Sequence, residues 1–150
     1  MLLHVLDVRN VTRALIFTRT KATANRVAEF LCNENIKAEA IHGNKSQAQR
    51  MRALEDFRNG TTTVLVATDI AQRGLDITGI THVINYDVPQ QAEDYVHRIG
   101  RTGRAAKEGD AYTFMAPDEI GMVRTIERMI GTPIPRISVP GFDFGTVAAE

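Results

Sequence analysis

The chain has 150 residues, 18 basic against 18 acidic side chains, 43% hydrophobic residues and a single cysteine. That length suits one domain with a real core and excludes two ordinary ones; a formal net charge of zero excludes a generally polycationic nucleic-acid binder, though not a local basic patch. Cys32 alone excludes an internal disulfide and argues against a cysteine-based zinc site, and no apolar run approaches the ~18 residues that a membrane helix needs.

The N-terminal stretch has no basic lead, and His4, Asp7 and Arg9 interrupt it, so it does not read as a signal peptide and the expected setting is cytoplasmic. The first strand is expected at Arg13–Thr18, close enough to Met1 to fit either an excised piece of a longer chain or a natural short one. Ala24, Val27, Ala28 and Leu31 follow at helical spacing, with Cys32 closing that apolar face as a core residue. A second strand is expected at Ile36–Ile41. Met51, Leu54 and Phe57 mark the next helix; Ser46 and Gln49 form its capping box and Gly60 follows its last turn.

Thr63–Ala67, His82–Tyr86 and Ala111–Met115 read as further buried strands, with a helix beginning near Ala92 behind the acidic pair Glu93 and Asp94. The last helix starts at Pro117, carries Asp118 and Glu119 in its first turn, and buries Val123, Ile126 and Ile130. Gly131 and Pro133 end it. Strand and helix alternating in this way predict a parallel sheet with helices on both faces. The expected division is a domain over 1–131 and an irregular extension over 132–150.

In an open parallel sheet, ligands bind beyond the carboxyl ends of the strands. Here those ends lead into Thr18-Arg19-Thr20-Lys21, His42-Gly43-Asn44-Lys45 and Thr68-Asp69, the last followed by Gln72-Arg73-Gly74-Leu75-Asp76. Hydroxyls, glycine and helix N-termini suit a row of phosphates. Each loop alone also fits ordinary capping, with Thr20 and Ser46 as the caps.

The densest basic run is His97-Arg-Ile-Gly-Arg-Thr-Gly-Arg104. Basic residues at the end of a helix complement its dipole. That does not account for Gly100 and Gly103, each directly before an arginine. Glycine costs about 1 kcal/mol inside a helix, so the pair suggests a tight turn aiming Arg101 and Arg104 outward. Directed guanidiniums suit a polyphosphate. Yet the chain has no Gly-Lys pair for a P-loop, and no strand ends in an Asp-Glu pair to hold magnesium. A nucleotide touched by these arginines must be held chiefly by another domain, which is the role of an arginine finger.

The segments Ala14-Leu-Ile-Phe-Thr-Arg-Thr-Lys21, His42-Gly43, Gln47-Ala-Gln-Arg50, Val66-Ala-Thr-Asp-Ile-Ala-Gln-Arg-Gly-Leu-Asp76 and His97–Arg104 occur in that order. Together they resemble motifs IV, IVa, V and VI of the DEAD-box RNA helicases, specifically their second RecA-like domain. The resemblance covers Arg13 to Gly131, and the tail Ile134–Asp143 is similar to the RhlE-like bacterial subgroup. Gln72 departs from the small residue usual at its place.

The resemblance implies an RNA-dependent ATPase split over two domains, with ATP and Mg2+ bound mainly by a first RecA-like domain absent from this sequence. It implies that Arg101 and Arg104 are arginine fingers for the γ-phosphate, with Gly74 and Asp76 at the nucleotide and its ribose. Thr20, Gly43, Arg50 and Thr68 would contact the RNA backbone without reading its sequence. Gln47, Asp69, Arg73, His97 and Arg98 would couple the two domains. No metal ligand is expected in this domain, which would be monomeric by itself and inactive alone. A helix running from Ala92 to Arg101 would set the fingers about 14 Å from the RNA-facing rim. The alternative is an ATP-independent module binding RNA or protein. A DNA-translocating helicase domain fits the wording of motif VI less well.

Overall fold

The computed structural model describes residues 13–42, 45–68, 80–89, 91–99, 110–115 and 117–134. Five short strands form its sheet: β1 Ala14–Thr18, β2 Ala38–Ile41, β3 Val64–Thr68, β4 His82–Asn85 and β5 Asp110–Thr113. They lie in the order β2-β3-β1-β4-β5, and every adjacent pair is parallel, as the β/α alternation predicts. The central strand β1 is aligned with both neighbours, Ile16 lying opposite Val66 on one side and Ile84 on the other.

Side chains alternate across a strand, so β1 sends Ala14 and Ile16 to one face and Leu15 and Phe17 to the other. Helix α1, Lys21–Asn33, covers the first face with Ala24, Val27, Ala28 and Leu31. Helix α2, Gln47–Arg58, covers the second with Ala53, Leu54 and Phe57. Helices α3, Ala92–Ile99, and α4, Ile120–Ile130, meet in a third cluster of Val88, Tyr95, Val123 and Ile126. A fully buried Leu, Ile or Phe contributes about 1.5–3 kcal/mol, and β1 buries such side chains on both faces.

Local signals set the element ends. Thr20 caps α1 by accepting from the Thr23 N–H, and Asn35, at φ 65°, turns the chain out of that helix. The Ser46–Gln49 capping box is present in both directions, with bonds of 2.8 and 3.1 Å. Gly60 at φ 86° and Gly131 at φ 78° take the left-handed conformation that the chain needs to leave α2 and α4. Pro117–Glu119 is a short 3-10 turn leading into α4. Past Gly131 the chain stays docked: Ile134 donates its N–H to Glu127 Oε2 at 2.7 Å and packs on the third cluster.

Two core assignments need correction. Met51 is 50% exposed, and the inward stripe of α2 is Arg50, Ala53, Leu54 and Phe57, the i, i+3, i+4, i+7 set that starts one residue earlier. Cys32 is exposed rather than core, because it lies one residue past the buried Leu31 and is rotated off that stripe. Its thiol donates to the Ala38 carbonyl at 3.2 Å.

Candidate functional site

The carboxyl ends of β1 and β3 lie side by side, with Thr18 opposite Thr68 in the parallel register. Both threonines are buried at the sheet end, and the Thr18 hydroxyl donates to the Thr20 carbonyl at 3.0 Å. Thr20 itself is exposed at the N-terminus of α1, its hydroxyl oxygen 2.9 Å from that of Thr23. Two helices therefore begin along this rim, α1 after β1 and α2 after β2.

Neither α1 nor α2 has an acidic residue in its first turn, whereas α3 has Glu93 and Asp94. An acid-free helix N-terminus leaves its positive dipole end to favour an outside anion. His42 directly follows β2. It is 3% exposed, and its Nε2 donates to Asn25 Oδ1 at 2.8 Å. Burial, then the nearby charges of Lys45 and Lys21, hold its pKa below the ordinary histidine value. Those two lysines stand at the starts of α2 and α1, so the rim is cationic where both helices point. Through Asn25, His42 ties the end of β2 to α1.

Gln47 is exposed in the first turn of α2. Arg50, one turn further, is half-buried, and its Nε is buried with no hydrogen-bond partner among the described residues. Thr20, Gln47, Arg50 and Thr68 thus belong to the segments that end β1 and β3 or open α1 and α2. Gly43, Asp69, Arg73, Gly74, Asp76, Arg101 and Arg104 lie outside the described residues, as does the side chain of His97. The described part of α3 ends at Ile99, short of Arg101.

Arg98 lies in the described part of α3. It is 0% exposed, so its place is inside this domain, among its own strands and helices. Tyr95 and Arg98 form the inward stripe of α3, three residues apart, and the guanidinium enters the core over the Phe17 ring at 5.1 Å. Its Nη1 donates to the Asp87 carbonyl at 2.8 Å and to Asn85 Oδ1 at 3.2 Å. Asn85, also fully buried, donates through Nδ2 to Thr113 Oγ1 at 2.9 Å and so joins β4 to β5. Sequence reasoning missed Asn85; the available signal was a polar residue closing the apolar run of β4.

Among the described residues, no three His, Cys, Asp or Glu side chains gather where they could hold a metal ion, and no helix is long and apolar enough to cross a membrane.

Residues 1–106 match the family described as helicase conserved C-terminal domain. The chain belongs to that family, as the C-terminal domain of a DEAD-box helicase. It is 50% identical over 142 residues to the DEAD-box ATP-dependent RNA helicase CshA of Bacillus subtilis (strain 168), covering 95% of this chain and 29% of that protein. The chain therefore spans less than a third of the length of that curated relative. Its structure is similar to that of the E. coli DEAD-box protein SrmB, seen bound to regulator of ribonuclease activity A, with a TM-score of 0.84 and 32% identity over 94% of this chain and 88% of that one. A DEAD box protein from the hyperthermophile Methanococcus jannaschii aligns with a TM-score of 0.81 and 37% identity, over 90% of this chain and 38% of that one. The sheet and its helices are thus those of the RecA-like C-terminal domains of DEAD-box helicases.

Proposed function

We propose that this chain is the RNA-gripping, arginine-supplying half of an ATP-dependent RNA helicase that acts in the cytoplasm. The reading is supported chiefly by one observation: Thr18 and Thr68 end adjacent strands beside two helix N-termini that carry lysine and no acid. Such a rim suits a chain of phosphates. Thr20, Gly43, Arg50 and Thr68 hold the sugar-phosphate backbone of one RNA strand, so recognition depends little on base sequence.

Arg101 and Arg104 reach the γ-phosphate of ATP, which a separate first RecA-like domain holds together with Mg2+. Gly74 and Asp76 complete the nucleotide side, Asp76 accepting from the ribose. Gln47, Asp69, Arg73, His97 and Arg98 couple this domain to the first. Closure of the two domains on ATP and RNA joins these surfaces and bends the bound strand into a shape that a duplex cannot keep; hydrolysis reopens the cleft. The tail from Ile134 to Asp143 supports a place in the RhlE-like bacterial subgroup.

An arginine finger contributes about 10³–10⁵ in rate, so Arg101→Ala in the two-domain protein abolishes RNA-stimulated ATP turnover. ATP binding, which rests on the first domain, is retained. Turnover within a few-fold of the parent in that variant removes Arg101 from the role.

A further inference from the structure

The turn after β4, Tyr86–Val88, is gripped from two sides by arginines of different segments. From inside, Arg98 of α3 donates to the Asp87 carbonyl at 2.8 Å. From the β1 side, the Arg19 backbone N–H donates to Asp87 Oδ2 at 3.0 Å, and its side-chain Nε donates to the Val88 carbonyl at 2.9 Å. The Arg19 Nη2 then reaches Glu119 Oε2 at 2.7 Å, at the start of α4. The Tyr86 N–H also donates to the Phe17 carbonyl at 3.0 Å, and Phe17 lies under Arg98. Arg19 stands between Thr18 and Thr20, in the loop that forms the rim.

We propose that Arg19 is a positioning residue: it fixes the Tyr86–Val88 turn to the rim loop opposite Arg98, so that the loop carrying Thr20 and the helix leading to Arg101 move as one body. This rests on the functional reading above, because it assigns the device by which RNA held at the rim acts on α3, the helix that precedes Arg101 and Arg104 in the sequence. The planar guanidinium is suited to it, since Nε and Nη2 donate in fixed directions to two acceptors that belong to different elements.

Two measurements test the proposal. Amide hydrogen exchange over Glu93–Ile99 is compared between the 150-residue chain, Arg19→Ala and Arg26→Ala. Arg26 is exposed on α1, and its guanidinium is 3.3 Å from the Thr23 hydroxyl, so its removal takes a nearby positive charge without touching the turn. Loss of the charge-assisted bonds of Arg19 speeds exchange in α3 about tenfold over its change in α2, while Arg26→Ala leaves α3 within about twofold of the parent. An unchanged α3, or equal acceleration in α2 and α3, overturns the proposal.

With the chain joined to a DEAD-type first domain, Arg19→Ala lowers RNA-stimulated kcat about tenfold and leaves KM for RNA within about twofold. A raised KM with kcat retained makes Arg19 an RNA contact and overturns the positioning role. Absence of RNA-stimulated turnover in the parent fusion sinks the helicase reading instead, and the exchange comparison still decides whether Arg19 ties the two segments together.

Discussion

At His42 the chain buries an ionisable ring beside a cationic rim, and stability should feel the cost. Its folded pKa is held below 6.5 by burial and by Lys45 and Lys21. Between that lowered value and 6.5 the unfolded chain binds more protons than the folded one, so stability rises with pH through the window. The contribution is fully present above 6.5 and is lost on acidification through the folded pKa. Replacing His42 with Gln keeps an amide donor near Asn25 but removes the titration. In urea melts from about pH 7.5 to about pH 5.5, His42→Gln should lose less stability than the parent. An identical pH slope in both proteins would contradict this account of the ring.

Other single residues were less open to sequence reading. Thr20 stands out because an N-cap depends on a partner three residues away. Arg98 does not, because an arginine in a basic run looks solvated until β4 and Phe17 are brought around it. Once buried, it is held by the Asn85 side chain and the Asp87 carbonyl together.

Elements follow from local chemistry wherever the signal is short-range. The capping box of α2 was legible from Ser46 and Gln49 alone, and its contribution can be measured. Ser46→Ala removes the acceptor for the Gln49 N–H and should destabilise the chain by about 1 kcal/mol. For a domain of this size that is about 2–4 °C in Tm. A Tm equal to that of the parent would show that the box contributes nothing. The face of the same helix is not legible at Met51, because apolar identity points there while the buried set is Ala53, Leu54 and Phe57, with Arg50 half-buried beside it. Strand positions held to within one or two residues, the usual uncertainty of an element boundary.

Across the whole molecule, alternation of strand and helix announced a parallel sheet, but not that β1 would lie between β3 and β4. Strand order is set by long-range pairing and by which faces the helices cover, and neither is encoded within one segment. That order matters to function, since it brings Thr18 beside Thr68 and places the openings of α1 and α2 along one rim. The finger arginines were singled out by glycine placement and by resemblance, and they lie outside the described residues.

The central claim is a division of labour: this lobe grips RNA and supplies guanidiniums, while another lobe holds the nucleotide. It is tested most directly by assaying RNA-stimulated ATP hydrolysis of the 150 residues alone, and again after joining them to a DEAD-type first domain. The account predicts essentially no turnover from the chain alone and RNA-dependent turnover from the joined protein. Vigorous hydrolysis by the isolated chain, or a joined protein indifferent to RNA, would contradict it.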